Sequence, residues 1–224
     1  MTEAEHGVIR SDTVRAEAFS DAVLAIVITL LVLDLKMPPH EPGGLLRALL
    51  AQWPTYLAYV TSYLYIAVVW LNHKAAFQRI TAMTRGLHWA NLVILFTTAL
   101  LPWPTAVVAE VIAEENVPDA KVAVLLYAMV GMLLCLSFLL FFHLLGRHPE
   151  LTEDDVEDQF FPQERIRAGL GAFVYALAGA VGVFWIPLVA MVMFLVVPVF
   201  YAITSHGYVT LPEAAWRILS KRGK

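Results

Sequence analysis

Residues 15–35 read Arg-Ala-Glu-Ala-Phe-Ser-Asp-Ala-Val-Leu-Ala-Ile-Val-Ile-Thr-Leu-Leu-Val-Leu-Asp-Leu. From Ala22 to Leu33 there is no charge; Asp21 and Asp34 bracket the run, and Glu17 lies one turn earlier. At about 1.5 Å per residue this core alone falls short of about 30 Å of hydrocarbon. With its flanks, Ala16 to Leu35 suffices for one crossing. Whether it crosses depends on the rest of the chain. A cleaved signal peptide is not expected, because no small-residue cleavage pattern follows the run.

The 224 residues are 59% hydrophobic and 15% charged, with mean hydropathy +0.69. Soluble domains run about 45–50% apolar and about 25% charged. A net charge of −4 leaves no basic patch for nucleic acid. The single cysteine, Cys135, excludes an intramolecular disulfide and has no metal-ligand spacing around it. Lone histidines such as His88 and His143 read as polar contacts, and the acids from Glu150 to Asp158 as a solvated face without the glycine turn of a calcium loop. No nucleophile elbow is present, so an enzyme is not expected.

The class is therefore an all-α polytopic membrane protein. Uncharged runs cover Ala48–His73, Leu87–Ala109, Val122–Gly146 and Ala168–His206. The last is too long for one crossing, and Pro187 after Trp185-Ile186 splits it into a hairpin. With the first helix this predicts one domain, residues 1–224, of six spans: 16–35, 50–73, 87–109, 122–146, 168–186 and 188–206. With the N-terminus inside, twelve Lys and Arg fall on inside segments and only Lys36, Arg47 and Lys121 outside. Both termini are then cytoplasmic. Gly171, Gly179 and Gly182, with neighbouring alanines, predict a close helix contact on span five.

Helical geometry sorts the first span. With Ile26 at zero and about 100° per residue, Leu30 falls at about 40°, Leu33 at about −20° and Thr29 at about −60°. These four form one stripe, aliphatic apart from one hydroxyl. Phe19 falls on it too, at about 20°, whereas Asp21 points away at about −140°. An acid at that depth asks for a partner. Ser20 is adjacent, and His73 and Asn91 sit at the same level on spans two and three. This set reads either as interhelical fastening or as a proton relay.

Arg15, Phe19, Ser20 and Asp21, spaced Arg-x-x-x-Phe-Ser-Asp ahead of the aliphatic run, resemble the first-helix signature of the endosomal and lysosomal transmembrane potassium channel family. Trp70-Leu71-Asn72-His73, Asn91 and Leu101-Pro102 extend the resemblance over the first half of the chain. It implies the bacterial branch, with one six-helix unit per chain, a homotetramer and a central pore lined by helix 1. It implies a constriction at Ile26, selectivity aided by Thr29, and further aliphatic rings at Leu30 and Leu33. Arg15, Phe19, Ser20, Asp21, His73 and Asn91 would form the polar support of that helix. No Thr-Val-Gly-Tyr-Gly filter is present; Gly207-Tyr208 is an isolated dipeptide. The expected function is K⁺ conduction across a prokaryotic cell membrane, with K⁺ and the lipid bilayer as partners and no cofactor. The alternative is a proton-coupled transporter in which Asp21 and His73 titrate.

Overall fold

The computed structural model describes residues 3–113, 117–153, 160–185 and 187–204. Gly207-Tyr208, the basic C-terminal residues and the acids at 154–158 lie outside the described residues. Among the described residues the regular structure is helical, joined by turns and loops with one isolated bridge, Ile80–Thr152. Its helices are α1 (Glu3–Leu30), α2 (Leu45–Ala51), α3 (Trp53–Phe77), α4 (Arg85–Ala99), α5 (Pro102–Ala113), α6 (Val117–Leu145), α7 (Phe160–Phe184) and α8 (Pro187–Thr204). Among the described residues, five stretches are long and apolar enough to cross a bilayer, beginning with 12–34. The chain is thus an all-α, multi-pass membrane protein.

Three features differ in detail from the sequence expectation. First, α1 begins far before residue 16, and its C-terminal end tightens into a 3₁₀ turn, Leu31–Asp34. Its short core is also not weak: its best window has mean hydropathy 2.1, against 1.2 for α3. Six branched or long aliphatic side chains between Val23 and Leu30 compensate for the flanking acids. Second, the uncharged run 87–109 is two helices. Pro102 lacks an N–H and disfavours helical backbone at Leu101, so α4 ends at Ala99 and α5 restarts at the proline. Third, the segments flanking α3 and α6 meet outside the bundle. Thr81 N–H donates to Leu151 O at 2.8 Å and Glu153 N–H to Arg79 O at 3.1 Å. The Arg79 guanidinium lies 4.2 Å from the centre of the Phe160 ring.

The small residues of α7 pack as their spacing suggests. A Cβ on Gly182 would lie 2.3 Å from Val124 Cγ1, and one on Gly179 would lie 2.8 Å from Ala128 Cβ. The α6 and α7 backbones approach closely because nothing larger stands between them. Aromatic rings fill the remaining core: Tyr127 stacks on Phe194 at 4.6 Å, and Tyr175 is fully buried.

Candidate functional site

The first helix has two unlike faces. Leu24, Val27 and Leu31 are 2%, 5% and 1% exposed and pack against α3 and α4. On the other side Ile26, Leu30 and Leu33 are 57%, 49% and 65% exposed. Phe19, Ala22, Ala25 and Thr29 lie on the same bare face. Phe19 therefore does not pack against the rest of the chain, in keeping with its helical angle on the stripe. Only 22% of the α1 window is buried, against 33–50% for the other four spans. A continuous aliphatic face left open by the rest of the chain marks either a lipid-facing surface or a contact with further copies.

Thr29 interrupts that face with oxygen. Its hydroxyl donates backwards, to Ile26 O at 2.8 Å and Ala25 O at 3.0 Å. With the proton committed to the backbone, the outward side of the oxygen presents lone pairs. Such a group can accept a donor or coordinate a cation and cannot offer a proton.

Behind the face, three side chains form a directed chain. Ser20 Oγ–H donates to Ala16 O at 2.8 Å, so its oxygen must accept from Asn91 Nδ2, at 2.9 Å. That fixes Asn91 Oδ1 toward His73 Nε2, at 2.8 Å, and requires the proton on Nε2. His73, Asn91 and Ser20 are 1%, 3% and 0% exposed. The His73 ring stacks on Phe77 with centroids 4.3 Å apart, and its Nδ1 has no hydrogen-bond partner. The chain thus ties α1 to α3 through α4.

Asp21 stands outside this chain. It is half-buried and accepts from Trp70 Nε1 at 2.9 Å, while Lys74 Nζ lies 5.3 Å from the Trp70 ring centre. Neighbouring residues point about 100° apart on a helix, so Ser20 and Asp21 cannot both face α4. Arg15 is exposed and makes no bond to this set. In the sequence Trp70 enters as part of the Trp70-Leu71-Asn72-His73 motif and not as a partner of Asp21; its place one turn before His73 was the available signal. Two further buried hydroxyl pairs, Ser62–Thr105 at 2.6 Å and Thr97–Ser137 at 3.3 Å, carried no signal in the sequence.

Comparison with known proteins gives a consistent answer. Residues 15–102 match the family model described as endosomal/lysosomal potassium channel TMEM175. A potassium channel of Streptomyces collinus is 42% identical over 164 residues, covering 73% of this chain and 79% of the relative. The crystal structure of a lysosomal potassium-selective channel TMEM175 homolog from Chamaesiphon minutus superposes with a TM-score of 0.73. Its identity is 33%, over 88% of this chain and all of that one. The endosomal/lysosomal proton channel TMEM175 of Gallus gallus is 41% identical over 97 residues, 39% of this chain and 19% of the relative.

Proposed function

This chain belongs to the TMEM175 potassium channel family, and on that premise we propose that it is a passive K⁺-selective channel built from four copies. The observation that carries the reading is the open face of α1. A helix packed by Leu24, Val27 and Leu31 on one side and bare at Ile26, Leu30 and Leu33 on the other is suited to line a central axis. Six crossings per subunit, both termini in the cytoplasm and residence in a prokaryotic cell membrane complete the proposal.

In such a tetramer, four Ile26 side chains form an apolar neck. A neck of this kind closes by shedding water, because an ion cannot cross without replacing its hydration shell. Widening it by tilting or turning α1 admits a partly hydrated cation. Four Thr29 oxygens, lone pairs outward, stand one turn away and replace some of the lost water. K⁺ gives up its shell more readily than Na⁺, so a hydroxyl ring after a dry neck favours K⁺. Leu30 and Leu33 continue the apolar lining. Ser20, Asn91 and His73 hold the angle of α1, and the Asp21–Trp70 bond fixes it a second time at the same level.

The proton-coupled alternative needs Asp21 and His73 to exchange charge. They share no hydrogen bond: each is bound to a different partner, Trp70 and Asn91. This favours the passive reading. The test is K⁺ flux and reversal potential in liposomes, with and without a pH gradient. Passive current reversing at the K⁺ equilibrium potential is expected. Current that vanishes without a proton gradient overturns the proposal. Ile26→Asn hydrates the neck and should raise cation leak several-fold; unchanged conductance would remove Ile26 from the constriction.

A further inference from the structure

The N-terminal part of α1 carries a fastening of its own, away from the Ser20–Asn91–His73 chain. Thr13 is 6% exposed, and its Oγ1 donates to Thr81 O at 3.4 Å. Thr81 belongs to the short segment after α3, residues 79–81, which is itself clamped on two sides. Thr81 N–H donates to Leu151 O and Glu153 N–H to Arg79 O, so Ile80 faces Thr152 as a non-hydrogen-bonded antiparallel pair. The Arg79 guanidinium donates to Ala75 O at 2.6 Å and covers the Phe160 ring at the start of α7. Ile80 is 5% exposed and belongs to the apolar core. Three segments far apart in sequence thus meet at the foot of α1: the helix itself, 79–81, and the α6–α7 linker at 151–153.

Thr13 lies on the packed face of the helix. Counted from Ile26 at about 100° per residue, it falls at about 140°, with Leu31 at about 140° and Leu24 at about 160°. The next ties along α1 are Ser20–Asn91 and Asp21–Trp70, at one level. At about 1.5 Å per residue, Thr13 stands about 11 Å to one side of that level and Ile26 about 8 Å to the other. The helix is uninterrupted from Glu3 to Leu30, so over this stretch it moves as a rod with a pivot between. A tilt that withdraws Ile26 from the bare side by about 1 Å carries Thr13 about 1.4 Å toward that side, away from Thr81. The Thr13–Thr81 contact is long already, and this motion takes it beyond hydrogen-bond reach.

Resting on the channel reading above, we propose that segment 79–81 and the α6–α7 linker form a clasp that positions the foot of α1 and, through the pivot, opposes withdrawal of Ile26. Thr13, Thr81 and the Ile80–Thr152 bridge are positioning residues, which the permeating ion does not meet. A closed clasp keeps Thr81 O where it holds α1 in its present aim. Loosening the linker lets Thr81 follow Thr13, and the widened neck then has one contact fewer against it.

The test uses the full chain, with single-channel recording in planar bilayers and amide exchange of the same proteins in liposomes. Ile80→Cys with Thr152→Cys puts two thiols on a pair whose Cα atoms stand about 4.5 Å apart, within disulfide reach. Cys135 is 5% exposed and stays in every variant. Oxidation should lower the open-to-closed ratio about two- to fivefold against the same protein reduced, one hydrogen bond's worth. Glu153→Pro removes a bridge donor where Thr152 is already extended, at φ −114° and ψ 158°, as a following proline favours. It should raise the ratio by a similar factor relative to Glu153→Ala, which keeps the N–H. Thr13→Val should raise it too, and Thr13→Ser, which keeps the hydroxyl, should restore the parent ratio. Unit conductance and K⁺ over Na⁺ selectivity should not move, because Ile26 and Thr29 are untouched. Exchange of the α1 amides from Thr13 to Phe19 should slow on oxidation and quicken in Glu153→Pro. An open-to-closed ratio that is unchanged, or that shifts in the same direction in the oxidised pair and in Glu153→Pro, overturns the clasp. A parent that carries no K⁺ overturns the channel reading alone; equal α1 protection in the locked and released proteins then overturns the clasp as well.

Discussion

Replacing Asn91 with leucine breaks two buried hydrogen bonds at once, and the cost follows from what each partner is left with. Ser20 keeps its bond to Ala16 O and loses only an acceptor contact. His73 loses its only hydrogen bond, because Nδ1 already has none. A stranded buried polar group costs about 1–3 kcal/mol, and hydrogen bonds in membrane proteins average nearer about 0.6. Taking the membrane average for Ser20, which strands nothing, and the full stranding range for His73 gives about 2–4 kcal/mol. Leucine is near asparagine in size, so little of this comes from a void. The triple variant Ser20→Ala, His73→Phe, Asn91→Leu strands nothing and retains a ring to stack on Phe77. It should lie within about 1 kcal/mol of the parent, more stable than Asn91→Leu alone. Reversible unfolding in mixed detergent–SDS micelles, followed by circular dichroism, measures both. Additive losses, with the triple variant worse than the single, would show that the three side chains do not act as one chain.

Thr29→Val keeps the shape and removes the oxygen. K⁺ over Na⁺ selectivity in bi-ionic reversal potentials should fall while helix content stays unchanged, since the lost bonds run only to Ala25 and Ile26. Gly182→Ala should destabilise by about 1–3 kcal/mol through overpacking against Val124. Gly169→Ala, with open space around it, should stabilise by about 0.5–1 kcal/mol through helix propensity. Thermal unfolding of the two variants distinguishes packing from propensity. A backbone amide bond, and then the His148 ring 2.9 Å away, hold the Glu150 carboxyl below its ordinary value of 4.5. Its stabilising contribution is present above that value and is lost as pH falls through the lower, folded value. Protection of the amides near Leu151 and Thr152, taken relative to the intrinsic exchange rate at each pH, should therefore fall in acid below about pH 4.5, and Glu150→Gln should flatten that dependence.

The stripe on α1 was legible because it needs only helical periodicity and one uninterrupted helix. Ile26, Leu30 and Leu33 share a face whatever surrounds them. Ser20, His73 and Asn91 were legible by depth, since three helices place them at one level. The partner of Asp21 was not: depth alone gives Trp70 and His73 equal claims, and only the rotation of α3 separates them. Ser62–Thr105 and Thr97–Ser137 depend on the lateral order of helices, which hydropathy does not encode. The α4–α5 break was written at Pro102, yet the uninterrupted apolar run concealed it. The clasp draws on Thr13, 79–81 and 151–153, and no local pattern anticipates such a meeting.

The fastening of α1 also orders events in time. Ser20 lies 71 residues ahead of Asn91, and Asp21 lies 49 ahead of Trp70. As the ribosome delivers the chain, the first helix enters the insertion machinery before either partner has been synthesised. Its serine and aspartate must wait at the edge of the bilayer until α3 and then α4 arrive. Premature truncation between these helices would leave a loosely seated α1 exposed to membrane quality control. The bonds that set the helix angle in the finished protein thus also record that its synthesis went to completion past α4.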